Sequence, residues 1–174
     1  NRIVGFDGEN LWVADFFGET LSKRPVDLRL SGSMIPSALM FDGEFIWVAN
    51  TADDTFTKLT RDGTSIGVFA VGDAPVGLTF DGTSVWVANA LGNSVTKLDR
   101  EGTKLGTFAV GHTPIALAFD GDNVWVSNRE DGTVTKLGTD GSVLGTFGVR
   151  LHAGLQAMAG ALVFDGNSVW TANQ

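Results

Sequence analysis

The chain has 174 residues, with 12 Lys and Arg against 20 Asp and Glu, a formal net charge of −8 and no cysteine. That length suits one sizeable core rather than two domains. The acidic balance argues against nucleic acid and anionic membranes, which both need basic patches; the absent thiols exclude disulfides, thiolate nucleophiles and zinc–sulfur centres.

A hydrophobic content of 43% with 23 Gly and only 4 Pro describes a globular chain with many tight turns between short strands. No apolar run approaches the ~18 residues of a spanning helix, so membrane insertion is not expected. The first residue is Asn1 rather than Met, and no basic and apolar leader precedes the fold, so the reading is of a processed product or an excised piece.

Along the chain, the motif Phe-Asp-Gly, two variable residues, an aliphatic residue and Trp recurs from Phe6, Phe41, Phe80, Phe119 and Phe164. Its tryptophans, Trp12, Trp47, Trp86, Trp125 and Trp170, are 35, 39, 39 and 45 residues apart. A self-similar unit of this length signals a propeller or solenoid. Units begin near residues 3, 38, 77, 116 and 161 and run through 1–174 as a single domain or segment.

The first unit is short and ends in Leu28-Arg29-Leu30-Ser31-Gly32. Later units each read as four strands. An apolar run such as Pro114 to Phe119 reaches an Asp-Gly hairpin turn, and a return strand such as Val85-Trp86-Val87-Ala88 ends at Asn. A third strand, Ser94 to Leu98, and a fourth, Lys104 to Val110, come after turn residues. Four antiparallel strands per unit make a propeller blade. Lys23, Lys58, Lys97 and Lys136 each lie 11 residues after a motif tryptophan, and Phe69, Phe108 and Phe147 lie 22 after one, so the units share a backbone. The fourth unit carries an insertion across 150–160, a loop over the blade top or a ligand lid, and residues 154–162 are the one stretch suited to a helical turn or two. The expected fold is an all-β propeller with four blades plus two strands of a fifth. Its open end reads first as a segment of a five- to seven-bladed ring or part of a longer chain, and otherwise predicts self-association or ring completion by another chain.

Strand alternation sorts the loops. Asp-Gly hairpins and the turns after the third strands lie on one face, here the lower; loops after the Trp strands and after the fourth strands lie on the upper. The lower loops are near-copies, while the upper ones differ, as binding loops on a repeated scaffold do. The motif Trp, Phe and Asp-Gly read as packing and turn chemistry. Candidate ligand contacts are on the upper face: Asn50, Asn89 and Asn128 at the Trp-strand ends, matched by Asp15 and Asn173, and Asp53, Asp54, Asp73, Arg129 and Glu130 in the loops. Each Asn reads either as a turn cap or as part of a ring of amides around the channel mouth. His112 and His152, the two histidines, fall in fourth-to-first-strand loops; with a carboxylate such as Glu130 they form the candidate acid–base or metal set. Nucleophile-elbow, zinc-helix, calcium-loop and phosphate-loop motifs are absent.

The string Phe-Asp-Gly-x-x-Val-Trp-Val-Ala-Asn, then Val-Thr-Lys-Leu, Gly-Thr-Phe-Ala-Val-Gly and Pro, resembles bacterial propellers of the streptogramin (virginiamycin B) lyase-like and YVTN/NHL-like group, from Ile3 to Asn173. The resemblance implies a secreted or periplasmic protein. Most such propellers resemble binding or scaffold proteins, so it implies a module presenting its upper loops to a small molecule, glycan or protein. It also implies an alternative, a lyase using a channel-mouth His and a magnesium ion. In the lyases the Trp strand ends in Glu and a His succeeds the inner-strand Pro. Here Asp15, Asn50, Asn89, Asn128 and Asn173 end the Trp strands, and Ser37, Val76 and Ile115 succeed the prolines.

Overall fold

A computed structural model describes residues 2–6, 11–15, 20–23, 26–29, 36–149 and 158–173. Sheet one contains β1 (Arg2–Phe6), β2 (Leu11–Asp15), β3 (Thr20–Lys23) and β4 (Val26–Arg29). Sheet two contains β5 (Pro36–Phe41), β6 (Ile46–Asn50), β7 (Thr55–Leu59) and β8 (Ser65–Ala70). Sheet three contains β9 (Pro75–Phe80), β10 (Val85–Asn89), β11 (Ser94–Leu98) and β12 (Lys104–Ala109). Sheet four contains β13 (Pro114–Phe119), β14 (Asn123–Asn128), β15 (Thr133–Gly138) and β16 (Val143–Gly148). The last sheet pairs β17 (Ala159–Phe164) with β18 (Val169–Asn173). All pairings are antiparallel between sequence neighbours, giving four blades and two strands of a fifth. Residues 159–162 of the stretch suited to a helical turn are strand instead, because they repeat the inner-strand pattern and pair with β18; the rest of that stretch lies outside the described residues.

First strands of consecutive sheets lie side by side, β1 by β5, β5 by β9, β9 by β13 and β13 by β17, so they form the inner wall. Register explains the spacing of Lys from Trp: Trp12 faces Lys23, Trp47 faces Lys58, Trp86 faces Lys97 and Trp125 faces Lys136 as direct partners.

Alternation along the buried second strand serves two interfaces at once. Val85 and Val87 point back to Trp47 and Phe56 of the blade before, joined by Leu98. Trp86 and Ala88 point forward to Leu117, Val124, Val126 and Leu137 of the blade after. Continuous apolar burial of this strand results from having blades on both sides. Exposure of each tryptophan depends on the next blade along the chain: Trp47 and Trp86 are fully buried, Trp125 facing the two-stranded sheet is half-buried, and Trp170 is 60% exposed.

Candidate ligand-binding face

On the lower face, each Phe-Asp-Gly turn is fastened by its own carboxylate. Asp81 Oδ1 accepts the backbone N–H groups of Thr83 at 2.8 Å and Ser84 at 2.6 Å, and Oδ2 accepts the Trp86 indole N–H at 2.7 Å. Asp42, Asp120 and Asp165 do the same for Trp47, Trp125 and Trp170. Burial is the largest influence on Asp42, Asp81 and Asp120 and opposes their ionisation, but the indole and backbone donors together outweigh it and hold each below 3.8. The registered lysines lie over the tryptophans and cross to the next blade: Lys58 Nζ donates to the Arg100 carbonyl at 2.5 Å, and Lys97 Nζ to the Thr139 carbonyl at 2.6 Å. The repeated motif is therefore occupied in holding strands and blades together.

On the upper face, Asn50, Asn89 and Asn128 are fully buried. Each side-chain amide donates to two hydroxyls of the neighbouring third strand: Asn89 Nδ2 to Ser94 Oγ at 3.1 Å and to Thr96 Oγ1 at 2.9 Å, Asn50 to Thr55 and Thr57, Asn128 to Thr133 and Thr135. Asn89 Oδ1 accepts the Gly72 N–H and Asn128 Oδ1 the Gly111 N–H, both at 3.1 Å. These amides fasten loop to blade.

A second set of bonds runs around the rim. Asp54 accepts the Ala74 N–H at 2.7 Å, and the Ala74 carbonyl accepts the Ala90 N–H at 2.9 Å. One blade later Asn93 accepts the Thr113 N–H at 3.0 Å, and the Thr113 carbonyl accepts the Arg129 N–H at 3.0 Å. Ala74 and Thr113 both adopt a left-handed backbone, φ 54 and 52, in making these turns. The two described fourth-to-first-strand loops, 71–74 and 110–113, thus each bridge the loops of two blades. Asp53, Asp54, Asp73, His112, Arg129 and Glu130 stand exposed on this belt.

At the inner rim, the strand register slips after each proline, leaving Ser37, Val76 and Ile115 as bulge residues without a cross-strand partner. These are the positions at which the sequence departs from the lyase motif, and nothing in their spelling signals a bulge. Ser37 Oγ donates to the Pro75 carbonyl of the next blade at 2.6 Å.

His112 is the one histidine among the described residues; His152 lies outside them. The His112 ring, 66% exposed, lies with Nδ1 2.7 Å from Asp131 Oδ1, and its backbone N–H donates to Asp131 Oδ2 at 2.7 Å. The hydrogen bond that its ring makes to the Asp131 carboxylate raises the His112 pKa above 6.5, with the charges of Asp131 and Glu130 adding to it; Asp131, accepting from the His112 backbone and ring, is lowered in return. Asp131 was missed in the sequence, where it looks like a turn residue before Gly132. The available signal was topological, since loops 111–113 and 129–132 both belong to the upper face. Magnesium requires a near-octahedral set of oxygens. Both Asp131 oxygens are engaged by His112, and no three His, Cys, Asp or Glu residues converge among the described residues, so this donor set does not fit that ion.

No protein-family model and no curated protein matches the chain. Solved structures do. A catalytically inactive variant of virginiamycin B lyase from Staphylococcus aureus with quinupristin matches at TM-score 0.84 and 16% identity over 98% of this chain and 61% of that one. The fold is a streptogramin lyase-like β-propeller. The same propeller is shared with Kuenenia stuttgartiensis hydrazine synthase, at TM-score 0.80 and 18% identity over 99% of this chain and 54% of that one. It is shared too with the computationally designed Ika8 protein, at TM-score 0.75 and 20% identity over 97% and 54%. The chain thus spans less than two thirds of the length of these propellers. Among its described residues no helix is long and apolar enough to cross a membrane.

Proposed function

We propose that this propeller is a binding module, non-catalytic in itself, whose upper loops hold a positively charged small molecule or protein segment. One observation carries the reading: a hydrogen-bonded belt of backbone and Asx groups fixes the loop backbones, while the side chains that differ from blade to blade project from it. Such a mount lowers the ordering cost of binding. The side chains supply the sign: among the described upper-loop residues, Asp53, Asp73 and Glu130 project beside the carboxylates of Asp54 and Asp131, against Arg129 and the protonatable His112. Heptalysine serves as the probe. It should bind with an affinity that falls as salt rises, and Asp53→Asn with Asp73→Asn should weaken it by roughly tenfold or more. Equal affinity for the double variant would overturn the reading.

A lyase-like second reading is favoured by one feature, the exposed His112–Asp131 pair with its raised pKa. Histidine in that setting serves acid–base chemistry, and the catalytically inactive lyase variant captured with quinupristin makes that compound the substrate to try. Turnover abolished in His112→Ala, with heptalysine binding unchanged, would favour it over the first.

A further inference from the structure

Between the third and fourth blades the upper belt is built differently from the junction before it. At that earlier junction the tie is main chain: the Leu91 and Gly92 N–H groups donate to the Asp73 carbonyl at 3.2 and 3.3 Å. One repeat on, Arg129, Glu130 and Asp131 stand where Ala90, Leu91 and Gly92 stood, and His112 stands where Asp73 stood. The tie is now a side chain: Asp131 accepts the His112 N–H on Oδ2 and meets the ring Nδ1 with Oδ1, both at 2.7 Å. The repeat closes the earlier junction without any of these four side chains, so packing does not demand them. The ring itself is 66% exposed. Among the described residues it is faced by Asp131 in contact and by Glu130 through its charge, with Arg129 at the head of the same loop. Loop 90–93, which holds Thr113 through Asn93, brings no titratable group.

We propose that His112 is a proton switch on the cation-binding face: neutral, it leaves Asp131 and Glu130 to hold a cationic segment beside the fourth blade; protonated, it takes Asp131 for itself and releases that segment. The inference rests on the binding reading above. A charge count gives the sign. With His112 protonated, two cations meet the two carboxylates of the cluster and cancel them; with it neutral, Arg129 alone meets them and one negative charge remains. The main-chain bond from His112 to Oδ2 does not depend on the ring proton, so the carboxylate keeps its place in both states. The raised His112 pKa puts the change above 6.5, clear of the carboxylates below and of lysine above. Proton and ligand thus compete for one carboxylate. By linkage, the bound cation must lower the proton affinity of His112 by the same factor that protonation lowers cation affinity.

Titrations with heptalysine, acetylated at its N-terminus so that only side-chain amines carry charge, test it at about pH 6 and about pH 8.5 and one ionic strength. The parent chain should bind about fivefold more tightly at the higher pH, the low end for coupled sites because the cluster is exposed. His112→Asn should bring that ratio close to one. His152 is present in both chains, so the comparison isolates His112. In NMR, saturating heptalysine should move the His112 midpoint to lower pH. A parent ratio near one, a ratio that survives His112→Asn, or an unmoved His112 midpoint would each overturn the switch and leave the binding reading standing. No binding at either pH would overturn both.

Discussion

Asp81 accepts four hydrogen bonds on one carboxylate, from the Thr83 N–H and hydroxyl, the Ser84 N–H and the Trp86 indole, and losing them leaves a buried indole N–H without an acceptor. Asp81→Ala should therefore lower stability by about 2–3 kcal/mol, read by urea unfolding. Asp165→Ala, at the solvent-exposed copy of the motif, should cost visibly less; equal losses would mean that burial of the indole is irrelevant. Because the folded pKa values of Asp42, Asp81 and Asp120 lie below 3.8, their contribution is present above that pH and is lost as pH falls through the folded values. His112 has the opposite sign. Its raised pKa makes the Asp131 contact fully stabilising below 6.5 and weakens it as pH rises through the folded value. An NMR titration should find the His112 midpoint above 6.5, returning toward 6.5 in Asp131→Asn. A midpoint at or below 6.5 in the parent chain would contradict the pair. At this scale the sequence was half legible. Turn chemistry by Asp-Gly showed in the spelling, but the bond from Asp to Trp five residues on did not, since nothing in a dipeptide says where its second oxygen points. Asn89 showed as a strand-end residue, while its burial against Ser94 and Thr96 needed the neighbouring strand in place.

Elements were the most legible level, because repetition states the same answer several times. A constant offset of 11 from Trp to Lys became a direct cross-strand pair in all four blades. The constant Phe was equally informative, and the structure adds its destination. Phe69 of one blade lies on Gly102 of the next, whose φ is +91, and Phe108 repeats the contact on Gly141. A side chain at residue 102 would meet both a disfavoured backbone and an aromatic ring. Gly102→Ala should then destabilise by about 1–3 kcal/mol, and a change below a few tenths would show that this turn does not locate the ring. The bulges at Ser37, Val76 and Ile115 escaped notice because a slipped register changes no residue's identity. Of the stretch 154–162, residues 159–162 are strand for a related reason: Gly160, Ala161 and Leu162 suit a helix locally, but the repeat places them on the inner strand β17, anchored by the pairs Ala159 with Asn173 and Leu162 with Thr171.

At the scale of the molecule, repetition and variation divide the labour. Lower turns, motif tryptophans and strand-end asparagines build the propeller; upper loops carry the side chains that differ, with an excess of carboxylates. Blade count was legible from the number of motifs, down to the two strands of the fifth. The cationic ligand proposed for this face draws in addition on Asp131, which the structure sets on the same rim as Asp54 and which the sequence alone did not single out. The central claim is that the upper belt is the binding surface, and amide-shift mapping of the labelled chain during a heptalysine titration tests it most directly. The account predicts salt-sensitive shifts confined to residues 51–54, 71–74, 90–93, 111–113 and 129–132. Shifts centred instead on the lower turns or on β18, or spread evenly over the surface, would contradict it.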